Sequence, residues 1–535
     1  MKKLFKSTAV VGSMTGVSRV LGFMRDMVFA QVFGAGAATD AFLAAFRIPN
    51  FFRKLFAEGS FSLSFVPVLS QYKEQEDHEA IRQLLDAVSG VLFAILLVVV
   101  ALGIWLAPWV LGLFTPGFAN DPEKLQLAEQ MLRVTFPYLL FIAMTGLAGG
   151  ILNTWGRFAV PALTPALLNI SLIASALIFK DFFDVPIVAL AWGVFVAGFL
   201  QLLVQVPALM KLGLLPRPNL NFKHSGVRKI LKLMVPTLFS SSAAQLNLLL
   251  DTVLASFLLT GSLTWLYLAD RLLEFPLGVF AIALSTVILP GLSRHYAAKR
   301  YVEFRATIAW ASRLGFLVGI PAAVGLGVMA EPIISLLFGH GRYMREDVMM
   351  AALALQAYSW GLPAFIFIKI LAPAFYARQD TKTPVKIALV AIISNMFFNI
   401  VFLAMMLWHD GSLVHVENWQ QLRVLLGTTP GLHTALAWAS VTSAWLNMLG
   451  LAFWLSRSGY SPELSEWMPV LLKVALSSAL MGGFLLWFSS VVPDYQSLFQ
   501  QILWLFGTIL AAVLVYVVFL GFVGIRLKHL RISSQ

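Results

Sequence analysis

Residues 87–107 read AVSGVLFAILLVVVALGIWLA, a stretch without a single charged side chain. A helix needs about 20 mainly apolar residues to cross the hydrocarbon core of a bilayer. The whole chain has this character, since it is 59% hydrophobic and only 12% charged, with a mean hydropathy of +0.82. Soluble domains carry about 25% charged residues, and a soluble globule could not hide this much apolar surface. The sequence therefore predicts an all-α polytopic membrane protein.

Fourteen stretches have the length and composition of a membrane-spanning helix. They lie near 8–34, 38–70, 86–114, 131–153, 160–180, 186–210, 230–260, 264–292, 308–338, 350–376, 384–407, 431–456, 467–491 and 499–525. An even number of spans places both termini on the same side. The loops and termini on that side hold 23 Lys and Arg residues, against 5 on the other side. The positive-inside rule therefore predicts cytoplasmic termini and accounts for the net charge of +12 without a nucleic-acid partner.

The chain contains a weak internal repeat. Pro67-Val68-Leu69-Ser70 returns as Pro290-Gly291-Leu292-Ser293, and Pro161 matches Pro384 at the same offset. Six spans separate the copies, so they have the same orientation, as in transporters built from parallel repeats around a central site. The repeat predicts two parallel six-helix lobes at 1–215 and 216–460. Residues 461–535 then hold two further helices and a basic cytoplasmic tail.

Three predicted spans carry polar stripes at helical spacing. The stripes comprise Thr15, Ser18, Arg19, Gly22, Arg25 and Asp26 in the first span; Asp40, Arg47, Asn50, Arg53, Lys54 and Glu58 in the second; and Tyr267, Asp270, Arg271 and Glu274 in the eighth. A charge at the centre of a span costs about 2.5–3.5 kcal/mol on insertion scales. The charged side chains must therefore face protein or a water-filled cavity.

Two interpretations of the stripes stay open. In the first, six cations and five anions form structural ion pairs, with Asp26, Asp40, Asp270 and Glu274 as partners. In the second, an anion site is built from the arginines at 19, 25, 53 and 271. Buried ion pairs are weak evidence for stability, and the arginine fork binds phosphate bidentately and stays charged when dehydrated. We favour the anion site.

Other chemistry is scarce. Asp251 in the seventh span and Asn395 and Asn399 in the eleventh offer hard oxygen ligands that could hold Na⁺, although ordinary interhelical hydrogen bonds explain them at least as well. The chain has no Cys and no phosphate-binding GxxxxGK[ST] loop or HExxH zinc motif. The sequence thus predicts a transporter that is not an enzyme and has no cofactor beyond this sodium ion.

Several motifs together resemble those of one family. They are Ser18-Arg19-Val20-Leu21-Gly22-Phe23-Met24-Arg25-Asp26, Phe33-Gly34-Ala35-Gly36, Thr39-Asp40-Ala41-Phe42, Pro49-Asn50, Phe56-Ala57-Glu58-Gly59, Ala269-Asp270-Arg271-Leu272-Leu273-Glu274-Phe275-Pro276 and Arg378-Gln379-Asp380-Thr381-Lys382-Thr383-Pro384-Val385-Lys386. The chain closely resembles the MurJ (MviN) family of lipid II flippases, within the multidrug/oligosaccharidyl-lipid/polysaccharide exporter superfamily. The likeness runs nearly end to end, although the external loop around 408–430 looks longer than expected for the family.

The resemblance implies a protein of the bacterial cytoplasmic membrane that moves lipid II, the undecaprenyl-diphosphate-linked peptidoglycan precursor, to the periplasmic leaflet. It implies two six-helix lobes, a groove for the lipid tail formed by the last two helices, and a sodium site at Asp251, Asn395 and Asn399. The expected substrate-binding residues are Ser18, Arg19, Arg25, Asp26, Asp40, Asn50, Arg53, Asp270, Arg271 and Glu274.

Three rival functions stay open. A cation-coupled drug exporter of the same superfamily would favour carboxylates and aromatic residues over the arginines seen here. A flippase for another polyprenyl-diphosphate glycan shares the diphosphate chemistry, and only the family motifs speak against it. A scaffold of a cell-wall synthesis complex would not need the arginines. We expect a monomer that contacts lipid II, membrane lipids and cell-wall synthesis proteins.

Overall fold

Every regular element in the computed structural model is helical within the described residues, which are 2–54, 61–409, 411–490 and 497–525. The chain divides into two compact units, Met1–Thr264 and Trp265–Gln535. This boundary differs from the predicted lobe boundary at 215, because α11 packs on helices of the first unit. One whole family motif, Phe56–Gly59, lies outside the described residues, as does the basic tail.

The first unit holds eleven α-helices. They are α1 (Lys2–Phe33), α2 (Ala37–Arg53), α3 (Phe61–Gln75), α4 (His78–Trp105), α5 (Ala107–Phe114), α6 (Pro122–Thr135), α7 (Tyr138–Thr154), α8 (Ala159–Ala174), α9 (Val188–Leu203), α10 (Val206–Lys211) and α11 (Ser225–Ala255). Within this unit α1 packs on α8, α2 on α6, and α9 on both α7 and α8. These contacts bring the two charged helices, α1 and α2, against other helices of the same unit, α1 against the apolar α8 and α2 against the more polar α6.

The second unit holds the remaining helices, of which α12 starts just before the boundary. They are α12 (Ser262–Pro276), α13 (Ile282–Ala297), α14 (Tyr301–Val328), α15 (Ala330–Phe338), α16 (Arg345–Ser359), α17 (Leu362–Tyr376), α18 (Lys382–His409), α19 (Trp419–Thr428), α20 (His433–Arg457), α21 (Leu464–Ser489) and α22 (Leu498–Phe522). The main packing pairs are α18 with α20, and α14 with α17 and α21.

Ten helices are long and apolar enough to cross a membrane, or eleven if the bent pair α16–α17 is one span, within the ranges that the structure describes. These eleven match eleven of the fourteen predicted spans. The other three predictions, 8–34, 38–70 and 230–260, fall on α1, on α2 with α3, and on α11. These helices are not among the ten, so the count of fourteen stays a prediction.

Helix breaks divide several predicted spans, and proline stands at most of them. Within the stretch 86–114, α4 ends at Trp105 and α5 begins at Ala107, with Pro108 near the N-terminus of α5. The stretch 350–376 bends by 42° between α16 and α17, where Pro363 opens α17. Proline has no amide hydrogen and clashes with the preceding turn, so it is tolerated mainly at the start of a helix.

The outer helices expose apolar side chains, as expected for surfaces that face lipid. In α22, Leu505, Ala512 and Tyr516 are buried against neighbouring helices, whereas Leu510 and Leu514 on the other face are 68% and 64% exposed. A soluble protein would place polar residues on that face. The chain is therefore a multi-pass membrane protein.

Candidate functional site

The polar stripe of α1 forms a hydrogen-bonded group with α8. Arg25 donates from Nε and Nη2 to Asp26 Oδ1 at 2.9 and 2.6 Å, and from Nη1 to Asn169 Oδ1 at 3.1 Å. Asn169 Nδ2 in turn donates to the carbonyl oxygen of Ser18 at 3.0 Å. Asp26 is buried, while 14% of the Arg25 side chain stays accessible. The guanidinium is thus held in a fixed direction with one small surface open.

Arg19 stands six positions before Arg25 on the same helix and is exposed. Its neighbours Val17 and Val20 are 50% and 62% exposed, so this part of α1 is only thinly covered by the rest of its unit. Within the described part of the chain, no ion pair involves Arg19. A guanidinium in a span needs water or an anion beside it, which makes Arg19 the most available cation of the three stripes.

The end of α2 carries Arg53, which donates from Nε to Asn50 Oδ1 at 2.9 Å. Asn50 is neutral, so this bond orients the guanidinium without cancelling its charge. Arg47, six residues earlier in α2, donates instead to Thr252 Oγ1 on α11 at 2.6 Å. Arg47 therefore joins two helices of the first unit, in keeping with its omission from the predicted anion site.

Asp40 lies in the first turn of α2 and is only 2% exposed. Its Oδ2 accepts from Gly261 N at 2.7 Å and from Lys124 Nζ at 3.3 Å. Its Oδ1 accepts from the backbone N and the hydroxyl of Thr264 at 3.1 and 2.8 Å. Four donors thus surround one carboxylate, and the group connects α2, α6 and the start of α12.

Lys124 is the partner that the sequence did not reveal. The count of basic residues by loop places Lys124 in a predicted external loop. The structure places it in α6, with 6% of its surface exposed. Its ammonium group also lies 4.3 Å from the centre of the Phe118 ring. Lys124 and Asp40 are 84 positions apart, so no helical spacing could connect them. The sequence offered one indication of this contact, which is that Lys124 lies close to a predicted span.

Helix α12 carries the third stripe. Arg271 Nη1 donates to Glu274 Oε2 at 2.6 Å across one helical turn, and the Tyr267 ring centre lies 6.0 Å from the guanidinium. The two paired side chains are 30% and 53% exposed. Asp270 next to them is half-buried. This pair is therefore partly solvated, and its spacing was visible in the sequence.

Within the described ranges, Arg25 and Arg271 each pair with a carboxylate from their own helix, as the structural ion-pair interpretation expects. Arg53 donates to the amide of Asn50, and Arg19 forms no ion pair in those ranges. All four keep part of their surface accessible within their own unit. An anion could approach each of them without first breaking the fold.

The residues predicted to hold sodium already hydrogen bond to neighbours. Asn399 Nδ2 donates to Asn395 Oδ1 at 2.9 Å, and Asn395 Nδ2 donates to Ser440 Oγ at 3.2 Å, which joins α18 to α20. Asp251 Oδ2, in the first unit, accepts from Asn247 Nδ2 at 3.3 Å. Of these three bonds, the one from Asn395 to Ser440 is the interhelical bond that the alternative expects, and the other two lie within α18 and within α11. The described residues contain no group of three His, Asp or Glu side chains that could hold a metal ion.

A cavity of about 1100 Å³ lies inside the second unit. It is bounded by α14, α16, α17, α20 and α21, and its wall is almost entirely apolar, with Phe316, Trp360, Trp438, Trp445 and Trp467 among the lining side chains. Helix α22 contributes no lining residue; it packs instead on α21. Such a space suits an extended hydrocarbon chain and offers almost nothing to a charged headgroup.

Comparison with known proteins identifies relatives over the whole chain. The family model described as "Lipid II flippase MurJ" matches residues 29–507. The "Probable lipid II flippase MurJ" of Haemophilus influenzae is 42% identical over 97% of this chain and 99% of that protein. Its counterpart in Vibrio cholerae is 41% identical over 100% and 99%. The "Lipid II flippase MurJ" of Burkholderia cenocepacia is 39% identical over 90% of both chains.

Solved structures agree with these relatives. A lipid II flippase MurJ in an inward closed conformation superposes with a TM-score of 0.77 at 26% identity, over 96% of this chain and 98% of that one. An inward-facing multidrug transporter of the MATE family gives 0.64 at 14% identity, over 84% and 98%. The second likeness supports a shared fold alone.

Proposed function

This chain belongs to the MurJ family of lipid II flippases, and from that premise we propose that its arginine stripes bind the diphosphate of lipid II. Its function is to move a polyprenyl-linked peptidoglycan precursor across the bacterial inner membrane, without enzymatic chemistry. The observation that carries the proposal is the set of four partly accessible guanidinium groups on otherwise apolar helices.

The arginines divide into two kinds. Arg19 is exposed and forms no ion pair within the described ranges, so it supplies positive charge, and Arg53 is held on one side by the neutral amide of Asn50. In Arg25 and Arg271, a neighbouring carboxylate fixes the guanidinium in place and leaves part of it open. Arginine binds phosphate oxygens through two parallel N–H donors, and such charge-assisted bonds are about twice as strong as neutral ones. A bound diphosphate is thus stabilised both by positive charge and by guanidinium groups that are already oriented.

The other predicted residues have supporting roles in this proposal. Asn50 orients Arg53, and Asp26 orients Arg25. The Ser18 carbonyl fixes Asn169, which in turn holds a second face of Arg25. Asp40 holds the start of α12, and Asp270 and Glu274 surround Arg271. A direct contact of these groups with substrate is not required.

The hydrocarbon part of the substrate needs a separate place. We propose that the apolar cavity of the second unit receives part of the polyprenyl chain while the diphosphate is at the arginines. Its indole-rich wall and its volume of about 1100 Å³ support this assignment. The tail would then contact α21 and not α22.

The transport cycle follows from charge. We propose alternating access. The site of the arginines is first open to the cytoplasmic leaflet. Once a bound diphosphate has neutralised their charge, the site closes on that side and opens to the external side. The sequence has no ATP-binding loop, so an ion gradient, the membrane potential or product removal must drive the cycle. Sodium bound by Asp251, Asn395 and Asn399 is one such source, provided that the amides exchange their present hydrogen bonds for the ion. We propose a monomer, contacting cell-wall synthesis proteins, as the working unit.

The test is a double substitution, Arg25→Ala with Arg271→Ala, in a bacterial strain depleted of its own flippase. Each hydrogen bond to a charged group contributes about 1.5–3 kcal/mol, so loss of both cations should weaken diphosphate binding by at least about 100-fold. We expect no growth and translocation of labelled lipid II at the background level. Arg25→Lys with Arg271→Lys should retain part of the activity.

Arg133→Ala is the matched control, because Arg133 is an exposed arginine of α6 that pairs with Glu129 and belongs to none of the three stripes. It should grow normally at equal membrane abundance. Normal growth and translocation by the double alanine variant would overturn the proposal. A scaffold function predicts the same normal result for Arg19→Glu, whereas the transport proposal predicts a complete loss.

A further inference from the structure

Residues 211–232, here called the basic connection, comprise the end of α10, the segment that follows it and the first eight residues of α11, and their composition is unusual. Residues 211–232 contain six cationic side chains, and Asp184 and Asp251 are the nearest acidic residues in the sequence on either side. The cations are Lys211, Arg217, Lys223, Arg228, Lys229 and Lys232, and all six are exposed. The positive-inside rule explains why such charges stand on one side of the membrane. It does not explain why they are gathered in one connection.

This connection is fixed to the fold and is not a loose loop. Asp86 on α4 accepts from Arg217 N through Oδ1 at 2.6 Å and from Asn219 N through its carbonyl at 3.0 Å. Leu214 is 1% exposed and anchors the inner side. The backbone of Asn219 lies so close to Gly90 that a Cβ at Gly90 would stand 2.3 Å from it. The basic side chains are therefore presented outward from a defined backbone.

Apolar side chains stand among the cations on the same outward face. Leu220 and Phe222 are 66% and 50% exposed, and Leu215 is 39% exposed. The connection begins at Lys211, the last residue of a candidate membrane span, so it follows directly on a helix long and apolar enough to cross the bilayer. Exposed Leu and Phe between Lys and Arg are typical of segments that lie in the membrane interface.

The nearby acidic residues do not neutralise this surface. The turn between α3 and α4 carries Glu74, Glu76, Asp77 and Glu79, but no ion pair joins any of them to the six cations in the described ranges. The one side-chain bond from the six is a hydrogen bond from Lys229 to Gln71. Five cationic groups are thus available to an anion from outside the protein.

We propose that residues 211–232 form a binding surface for anionic phospholipid headgroups of the cytoplasmic leaflet. The cations contact the phosphates, while Leu220 and Phe222 enter the boundary between headgroups and acyl chains. The surface lies within the first unit and is separate from the arginine stripes, so it does not depend on lipid II as the transported substrate.

The test compares lipid binding by purified full-length protein. Arg217→Gln/Lys223→Gln/Arg228→Gln removes three cations from the surface. Arg294→Gln/Lys299→Gln/Arg300→Gln is the matched control, because it removes three exposed cations from another basic connection, between α13 and α14. Native mass spectrometry then follows titration with phosphatidylglycerol and with zwitterionic phosphatidylethanolamine. Thermal unfolding checks that both variants fold.

We expect phosphatidylglycerol to bind the unmodified protein more tightly than phosphatidylethanolamine. The surface variant should raise the apparent Kd for phosphatidylglycerol by about tenfold, since each basic residue adds an increment of attraction, and the control should change it less than twofold. High salt should also weaken phosphatidylglycerol binding by the unmodified protein, and this measurement requires no variant. Leu220→Ser/Phe222→Ser should weaken binding of both lipids.

Equal binding of the two lipids by the unmodified protein would overturn the proposal. So would an equal loss in the control variant, because the charges would then act only through the overall potential. Displacement of phosphatidylglycerol by inorganic phosphate at moderate concentration would assign the surface to free anions instead of lipid.

Discussion

At the scale of single residues, the position of each cation decides its role more than its charge does. Arg271 meets Glu274 at a spacing of three residues, and such a pair follows from helical spacing alone. Arg25 meets its direct neighbour Asp26, although adjacent residues on a helix do not normally face each other. Lys124 meets Asp40 only because α6 packs on α2, and Arg47 meets Thr252 only through α11. The sequence therefore predicted which side chains are charged and which pairs are local. It could not predict pairs made by tertiary packing.

The Asp40 group gives a prediction at this scale. Asp40→Asn leaves Lys124 buried without its anion, and breaking a buried pair by removing one partner costs about 3–5 kcal/mol. We expect a clearly lower thermal midpoint for purified Asp40→Asn. Asp40→Asn with Lys124→Met removes both charges and should recover part of the loss, because no buried cation remains.

Thermal unfolding of the two single variants and the double variant forms a double-mutant cycle. Lys124→Met alone should cost less than Asp40→Asn, since three donors to Asp40 remain. Additive losses, with no recovery in the double variant, would show that the two side chains act independently and would contradict this account.

At the scale of helices, the hydropathy pattern predicted the elements but not their interruptions. The stretches 131–153 and 308–338 were each predicted as one span. The structure has α7 begin after Pro137, and α14 end at Val328, just before α15. An apolar average over about 20 residues stays high across such a break. Only the prolines mark these positions in the sequence, and proline is also common inside spans.

Segments of similar sequence in the two units form similar helices. Ala107–Phe114 and Ala330–Phe338 resemble each other with one residue inserted; both form short helices, and each follows a helix of 28 residues. Pro67 lies in α3 and Pro290 in α13, again in corresponding places. The parallel arrangement of two lobes stays a prediction, because local equivalence does not determine it.

A prediction about elements concerns the contact of α4 with the basic connection. Gly90→Ala would place a methyl group on the backbone of Asn219 and should displace the connection, which lowers the thermal midpoint by several degrees. Gly112→Ala is the control, because Gly112 is a helical glycine with open space around it. There alanine should be neutral or stabilise by up to about 1 kcal/mol. Equal effects of the two changes would contradict a tight α4 contact.

At the scale of the whole molecule, composition and the charges of the loops determine the class of protein and its predicted orientation more than any motif does. A chain that is 59% hydrophobic must place its surface in lipid, and the 23 to 5 distribution of basic residues predicts cytoplasmic termini. The arginine stripes gain meaning only in this setting. In water, four exposed arginines would be ordinary surface residues, whereas in a membrane their desolvation cost requires a polar surrounding.

The predicted orientation has a direct test, because the chain contains no cysteine and single cysteines can be introduced without background labelling. In intact spheroplasts, a membrane-impermeant maleimide should label Asn120→Cys and Thr428→Cys, which belong to predicted external loops. Lys223→Cys, Lys299→Cys and Ser533→Cys should react only after the membrane is opened. The result at position 533 decides between even and odd numbers of spans, since thirteen spans with a cytoplasmic N-terminus would place the C-terminal tail outside. Labelling of Ser533→Cys in intact spheroplasts, with Lys223→Cys and Lys299→Cys still protected, would therefore rule out fourteen spans.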